Sequence, residues 1–489
     1  MNNDQIIVKN FNQSDLKTIL VYNIENVRQF IPLKPNIFFI SNKGISFWKF
    51  NDEIIVFNRS FQSLKLSKYN ELLEKFKSIG PVISRHHEDL NSLELDYRSL
   101  IFITLNLASL LDEKKIEFVF FPFSSNHHIE SYILEFAAEL IDAKLIFIYH
   151  SILDFRAIPQ IQTKGIESRK LLNAEINNYS LDSDISRLVE KSVKYSQSKI
   201  RSRWLPYVTI NILLILMFYF KKSLKIKFTK HIKIKRAKSL ELVGVSMKKE
   251  IGIYRSQVNA LLHYSKLLKL DNNSTVVFDS PTMTLGVPTL VFFAHFQPEA
   301  TSFPEGGKWT NNIDILSYIR ASGFGGRILY KEHPEIISSL NSIKKYASRI
   351  GVFRDCNYYN QLRHLKCEFI DKVDMDVDSY VAITITGTIA IERSLNNCKT
   401  IVAGCPWYSG IPGTISLERF FESQVARDEF LKIEKTAEYA AEHLKKIIDK
   451  KSLLPVFIEK SLGIRHEHDE IFEFKKDVEK IFEFLSNSS

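Results

Sequence analysis

The chain has 489 residues, 45% hydrophobic and 25% charged, which is the balance of a folded globular protein and excludes a disordered, collagen-like or disulfide-scaffold chain. Its length predicts two or three domains. The net charge of +10 is local: residues 191–238 hold 14 Lys/Arg and no Asp/Glu, leaving 52 basic against 56 acidic residues elsewhere. The four cysteines (Cys356, Cys367, Cys398, Cys405) show no CxxC spacing, which predicts reduced thiols in a cytosolic chain and no structural zinc. Met1–Asn10 contains Asp4 and lacks the basic and apolar regions of a secretory start.

Thr18–Tyr22, Asn36–Ile40 and Glu53–Phe57 read as strands, and Ser67–Ile79 as an amphipathic helix. Glu117–Phe123 and Lys144–Tyr149 are near-continuous apolar runs, the pattern of parallel strands buried on both faces. Ile129–Leu140 between them has helical periodicity, so residues 118–150 predict a β-α-β crossover. Residues 155–190 are more polar and predict loops and helices.

The basic block follows. Its centre, Trp204 to Phe220, is 17 residues without a charge, flanked by Lys199, Arg201 and Arg203 before and by Lys221, Lys222, Lys225 and Lys227 after. As a helix it would reach about 25 Å, marginal against a bilayer core of about 30 Å. Aromatic residues sit at its ends, where interfacial side chains belong. The favoured reading is a monotopic segment on the cytoplasmic leaflet, held by apolar burial and by attraction of lysines to anionic lipid. A buried core helix and a true span are the alternatives. No helix-turn-helix, zinc or RNP pattern accompanies the charge, so nucleic acid is not the expected partner.

A helix is expected around Ile253–Leu268, and a second α/β region starts near Asn272. There Pro288–Ala294, Arg327–Lys331, Ser379–Ile385 and Thr400–Ala403 read as strands, and Ile313–Ala321, Ile336–Arg349 and Ile389–Leu395 as helices. Glu434–Ile448 and Glu470–Leu485 are helical tails. The expected fold class is α/β, with two Rossmann-like domains facing a central cleft. The expected domains are residues 1–190, a basic/apolar segment 191–250, a second domain 251–430 and C-terminal helices 431–489.

Ligands in such sheets bind beyond the carboxyl ends of strands, so polar groups placed there are the candidates. Lys331-Glu332-His333-Pro334 follows one strand: the imidazole can donate to a phosphate oxygen, Lys331 adds charge and Pro334 turns the chain. Thr386-Gly387-Thr388 follows another and opens a helix, with Thr388 as a natural N-cap. Two hydroxyls, a glycine that permits close approach and a helix N-terminus suit a phosphate, and Glu392 in the first turn can accept from ribose hydroxyls. The loop Gln297-Pro298-Glu299 to Glu305-Gly306-Gly307 reads as shaped rather than floppy. In the first half, His128, Glu130 and Asp154 follow strands and are candidates for a general base on a sugar hydroxyl. Trp407 and Tyr408 either cover a base or sugar or pack in the core. His86-His87-Glu88-Asp89 reads as solvated surface.

The ordered set QPEAT…PEGG, YKEHP and TITGTIAIERSLNNCKTIVAGCPWY resembles the capsule polysaccharide biosynthesis glycosyltransferases of GT-B type, with Kdo transferases and, more distantly, bacterial sialyltransferases among them. The likeness spans Phe292–Gly410; FPFSSNHHIESYILEFAAEL is a looser match. The resemblance implies a GT-B-like fold whose first domain takes the acceptor and whose second takes a nucleotide sugar. It implies a CMP-activated acidic sugar as donor, more so than a UDP-sugar, with the nucleotide phosphate held by His333, Pro334, Thr386, Gly387 and Thr388. The hydroxyl motif here is Thr-Gly-Thr rather than a plain Ser/Thr pair, and retaining and inverting routes both stay open. No DxD motif is apparent where the donor phosphates would sit, so no metal and no cofactor beyond the donor substrate is expected.

The expected function is glycosyl transfer onto a lipid-linked or growing surface polysaccharide, capsule or lipopolysaccharide, at the inner face of the cell membrane. Residues 191–238 would hold the enzyme there as a peripheral or monotopic protein. A nucleotide-sugar epimerase with the same cleft and a non-catalytic membrane scaffold are the alternative readings.

Overall fold

The computed structural model describes residues 17–22, 37–42, 48–50, 53–55, 66–83, 97–121, 129–150, 157–173, 259–260, 262–271, 287–295, 305–333, 354–371, 373–374, 377–451 and 468–487. The basic/apolar segment 191–250 and the expected helix at 336–349 lie outside them.

The first sheet contains β1 (Ile19–Tyr22), β2 (Ile37–Asn42), β3 (Trp48–Phe50), β4 (Glu53–Ile55), β5 (Phe118–Phe121), β6 (Lys144–His150), β7 (Ala157–Gln162) and β8 (Lys170–Leu171). Their order is β4-β3-β2-β1-β5-β6-β7-β8. The central four are parallel and the pairs at either edge antiparallel. Helices α1 (Leu66–Ile83), α2 (Tyr97–Glu113) and α3 (Ile129–Leu140) accompany it, and β5-α3-β6 is the expected crossover. Residues 157–171, expected as loops and helices, instead form the β7–β8 edge. Pro159 and two glutamines hide that strand from an apolar-pattern reading. Pro159 lacks an N–H, yet its carbonyl accepts from Leu172 N.

Alternation along the strands sorts side chains onto two faces. Leu20, Val119, Phe121, Leu145 and Phe147 pack against the three helices. Ile19, Val21, Phe118, Phe120, Ile146 and Ile148 face the other way, onto Val478, Ile481, Phe482 and Leu485 of the last helix. Those four lie at i, i+3, i+4 and i+7, one stripe of an amphipathic helix.

The second sheet holds β9 (Leu290–Phe293), β10 (Ile328–Lys331), β11 (Cys367–Ile370), β12 (Val381–Thr384), β13 (Thr400–Val402) and β14 (Thr414–Ser416), all parallel, in the order β11-β10-β9-β12-β13-β14. Counted along the chain this is 3-2-1-4-5-6, the doubly wound order, with its switch point between β9 and β12. Helices α4 (Asn312–Ala321), α5 (Cys356–His364), α6 (Ile389–Leu395), α7 (Leu417–Glu422) and α8 (Gln424–Leu431) join the strands or follow them.

Residues 259–260 and 262–270, within and just past the helix expected around Ile253–Leu268, are helical and pack Ala260, Tyr264 and Leu267 into the second core, and two helices follow α8. In α9 (Ala437–Lys451), Ala440, Leu444, Ile447 and Ile448 pack with Ile158 of the first sheet and with Ala390, Ile391, Trp407 and Tyr408 of the second half. The last helix, α10 (His468–Asn487), carries the stripe that covers the first sheet. Among the described residues no helix is long and apolar enough to cross a membrane.

One polar knot is buried in the first unit. Gln162 Nε2 donates to Glu135 Oε1 and to Glu139 Oε1, each at 3.1 Å, although the two carboxyls are one helical turn apart on α3. Glu139 also takes the Gly165 N–H at 3.0 Å and the Lys75 ammonium at 3.0 Å. Burial, then the Glu139 charge, pushes the Glu135 carboxyl from 4.5 up to about 7. A raised carboxyl stabilises the fold fully below its unfolded value and less as pH rises to the folded one. Glu135→Gln is therefore expected to raise the melting temperature at pH 8 by about 3 °C or more, with the gain shrinking toward pH 5 in a thermal-melt series. An equal effect at both pH values would refute this titration.

Candidate functional site

The polar groups of interest stand at the exits of β9, β10, β12 and β13, on either side of the switch point. His295 lies two residues beyond β9. Glu332 and His333 follow β10, Thr386-Gly387-Thr388 follows β12, and Gly404 follows β13.

His295 is buried and its Nε2 lies 2.9 Å from Thr384 Oγ1. The same nitrogen accepts the Thr386 N–H at 3.3 Å, while Thr384 Oγ1 accepts the Gly387 N–H at 3.1 Å. A nitrogen that accepts an N–H carries no proton, so Thr384 donates its hydroxyl proton to Nε2 and the imidazole proton sits on Nδ1. Burial, then the Arg354 charge, pushes His295 from 6.5 down to about 4. Burial also pushes His333 down to about 3, helped by His295, Lys331 and Arg354. Both rings are neutral at physiological pH.

A buried ion pair stands behind them. Arg354 Nε meets Glu332 Oε2 at 2.9 Å with both side chains 0% exposed, so neither charge has solvent to fall back on. Glu332 Oε2 also accepts the Tyr330 and Tyr359 hydroxyls at 3.0 Å each, and Oε1 accepts the His333 N–H at 2.8 Å. Asn312 Nδ2 donates to Tyr358 Oη at 2.9 Å, and the Tyr358 and Tyr330 hydroxyls are 2.8 Å apart. Since Tyr330 spends its proton on Glu332, the donors run one way, from Asn312 through Tyr358 and Tyr330 to the carboxylate. Burial raises the Tyr358 hydroxyl to about 12, so these phenols stay protonated donors. Arg354 Nη2 donates to the His295 carbonyl at 2.9 Å and its guanidinium lies 4.5 Å from the Tyr358 ring centroid.

Glycine is needed at two exits. A Cβ at Gly387 would lie 2.6 Å from Thr384 Oγ1 and 3.2 Å from His295 Nε2. One at Gly404 would lie 2.6 Å from Thr386 Cγ2 and 2.8 Å from the Glu305 carbonyl oxygen. That carbonyl also accepts from Cys405 N at 2.9 Å, which holds the 305–307 loop on the β13 exit.

Several expected residues sit differently from the sequence reading. Thr388 occupies the N-cap position of α6 but is already helical (φ −60°, ψ −16°), and its side chain makes no capping bond. Its hydroxyl instead donates to Glu392 Oε1 at 3.1 Å, so the carboxylate expected to face ribose is engaged within its own helix. The amides of Thr386 and Gly387 point at His295 and Thr384. Lys331 is the last residue of β10 and alternates away from Tyr330 and Glu332; burial lowers its pKa, against the pull of Asp371 and Glu332. Trp407 and Tyr408 are core residues of the seam beside α9, although Tyr408 Oη still donates to the Gly387 carbonyl at 2.6 Å. Glu305 is buried, and its charge bears on Cys405 and Tyr408. Glu130 is the second residue of α3, beyond β5. His128, Asp154, Gln297, Glu299 and Pro334 lie outside the described residues. Among the described residues no cluster of three His, Cys, Asp or Glu could hold a metal.

Sequence reasoning passed over His295, Thr384, Glu332 and Arg354. His295 directly follows an apolar strand run, so the strand-exit rule could have found it. Arg354 precedes no strand and carries no local signal.

No protein-family model matches the sequence, and no curated protein does. Among solved structures, the chain matches the crystal structure of UDP-GlcNAc 2-epimerase from Neisseria meningitidis bound to UDP-GlcNAc at 10% identity and a TM-score of 0.19, over 92% of this chain and 100% of that one. A TM-score that low has no bearing on this fold or site, which rest on the strand order and contacts above.

Gly387→Ala is expected to cost about 1–3 kcal/mol, because the engaged Thr384 and His295 side chains must shift to admit a methyl; a denaturation midpoint equal to that of the unsubstituted protein would contradict the packing. A histidine held below its unfolded pKa stabilises the fold above that pKa, and the gain is lost as pH falls through the folded value. Stability should therefore decline from about pH 6.5 toward pH 4, and His333→Gln should flatten the decline between pH 6.5 and 5 in urea midpoints. An unchanged slope would show that His333 is not held neutral.

Proposed function

We propose that the protein is a nucleotide-sugar-dependent glycosyltransferase of GT-B-like architecture. One observation carries the reading: His295 and a Thr-Gly-Thr turn border the switch point of a 3-2-1-4-5-6 sheet, with His333 at the next strand exit, where doubly wound folds take nucleotides.

The chemistry follows from those groups. Breaking the bond between sugar and phosphate develops positive charge on the sugar and negative charge on the leaving phosphate. Neutral imidazoles are hydrogen-bond donors that need no desolvated charge, and donors fixed before the reaction stabilise the leaving oxygen without reorganisation. His333 and the Nδ1–H of His295 take that role, with the Thr386 hydroxyl beside them and Lys331 supplying charge at the end of β10, while the Thr388 hydroxyl joins only by leaving Glu392. For a phosphate to use the Thr386 amide, His295 Nε2 must give it up. Activation of the acceptor hydroxyl belongs to the first unit, where Glu130, His128 and Asp154 follow strands.

The donor in this reading is a CMP-activated acidic sugar, in preference to a UDP-sugar, and the acceptor is a lipid-linked or growing surface polysaccharide. The 14 lysines and arginines of residues 191–238 support a place beside anionic lipid. Titration calorimetry with CMP and UDP tests the donor. Micromolar binding of CMP, weaker binding of UDP and at least tenfold weaker CMP binding by His333→Ala are expected. Binding of neither nucleotide would overturn the reading, and turnover of a nucleotide sugar without any acceptor would replace it with an epimerase.

A further inference from the structure

We propose that Arg354 is a positioning residue: by donating at once to the Glu332 carboxylate and the His295 carbonyl, it fixes the spacing of the β9 and β10 exits and so places both imidazoles toward a phosphate-bearing ligand. The role assigned to the ligand rests on the donor-cleft reading above. The positioning itself rests on geometry alone.

Four contacts make one continuous tie. The His333 N–H binds Glu332 Oε1 at 2.8 Å, and Glu332 Oε2 binds Arg354 Nε at 2.9 Å. Arg354 Nη2 binds the His295 carbonyl at 2.9 Å, and His295 Nε2 reaches Thr384 Oγ1 at 2.9 Å. The exits of β10 and β9 and the end of β12 are thus joined through side chains in addition to the sheet ladder, in which Thr384 still pairs with Val402. Arg354 lies just before α5, so no exit depends on its own strand alone for its place.

Stability alone does not call for such a pair. Buried ion pairs replaced by apolar residues of similar volume are often neutral or stabilising, because desolvation consumes the Coulomb gain. What an apolar substitute could not supply is direction. A guanidinium offers donors in a rigid planar fork, here Nε–H for the carboxylate and Nη2–H for the carbonyl, whereas an ammonium is a point charge on a flexible stem. The tyrosines complete the argument: Tyr330 and Tyr359 crowd Oε2 with donors, and Arg354 stacks on Tyr358, so the fork has little freedom to turn.

Arg354→Lys tests this, since it keeps the positive charge beside His295 and His333 but cannot hold both acceptors. The readout is nitrogen NMR of the protein with 15N-labelled histidine, from pH 8 to pH 5. In the unsubstituted protein His295 Nε2 should show the shift of an unprotonated acceptor throughout. In Arg354→Lys both imidazoles are expected to move, with proton affinity at least tenfold higher as the tie to Thr384 and Thr386 loosens. Superimposable histidine spectra and titrations would overturn the proposal, because a pair serving only to fill the core would leave the rings where they are. Should Arg354→Lys fail to fold, Glu332→Gln, which keeps an acceptor for the His333 N–H, takes its place with the same criteria. CMP calorimetry on the same variant adds a second arm: an affinity loss of tenfold or more at unchanged melting temperature supports positioning, and equal affinity opposes it. If the unsubstituted protein binds no nucleotide, the donor reading fails while the NMR result still decides the role of Arg354.

Discussion

The second half of the molecule is arranged around a buried carboxylate and guanidinium that have no access to water. Such charges persist only when the surrounding groups supply what water would have supplied. Here they do so fully for Glu332: two phenols, a guanidinium and a backbone amide converge on its two oxygens. That demand explains the aromatic crowding between α4, α5 and β10, where Tyr330, Tyr358 and Tyr359 contact one another edge to face. The tyrosines serve as apolar wall and as proton donors at once.

The histidines inherit their character from this centre. Burial disfavours the charged form of both rings, and the nearby guanidinium adds its opposition to a second positive charge, so both imidazoles are held well below their usual pKa. Gly387 is part of the same arrangement, because only a residue without Cβ lets the turn after β12 come against Thr384 and His295. The exits therefore form a single unit of mutually dependent groups.

Much of the fold was legible because parallel strands buried on both faces leave long apolar runs. Phe118–Phe121, Leu290–Phe293 and Val381–Thr384 announce themselves in this way, and Ile129–Leu140 and Ile389–Leu395 match their periodicity to the residue. The edges were not legible. Cys367–Ile370 is a short edge strand with a partly exposed glutamate, and Ala157–Gln162 carries a proline and two glutamines, of which Gln162 takes its partners from α3 and from Arg169. Helix α2 was missed because Ile101-Phe102-Ile103-Thr104 is locally strand-like; only its packing under the sheet settles its form. At the site, the strand-exit rule led to His333 and the Thr-Gly-Thr turn. It could not supply the direction of their hydrogen bonds, nor Arg354, whose partners are 22 and 59 residues distant.

The stripe Val478, Ile481, Phe482 and Leu485 has a temporal meaning as well as a spatial one. It covers a face of the first sheet whose strands β1, β2, β5 and β6 lie more than 300 residues earlier in the chain. During synthesis that face, with Phe118, Phe120, Ile146 and Ile148, must wait uncovered until the last helix leaves the ribosome. The N-terminal unit is thus finished only once the helix that carries the stripe has been made.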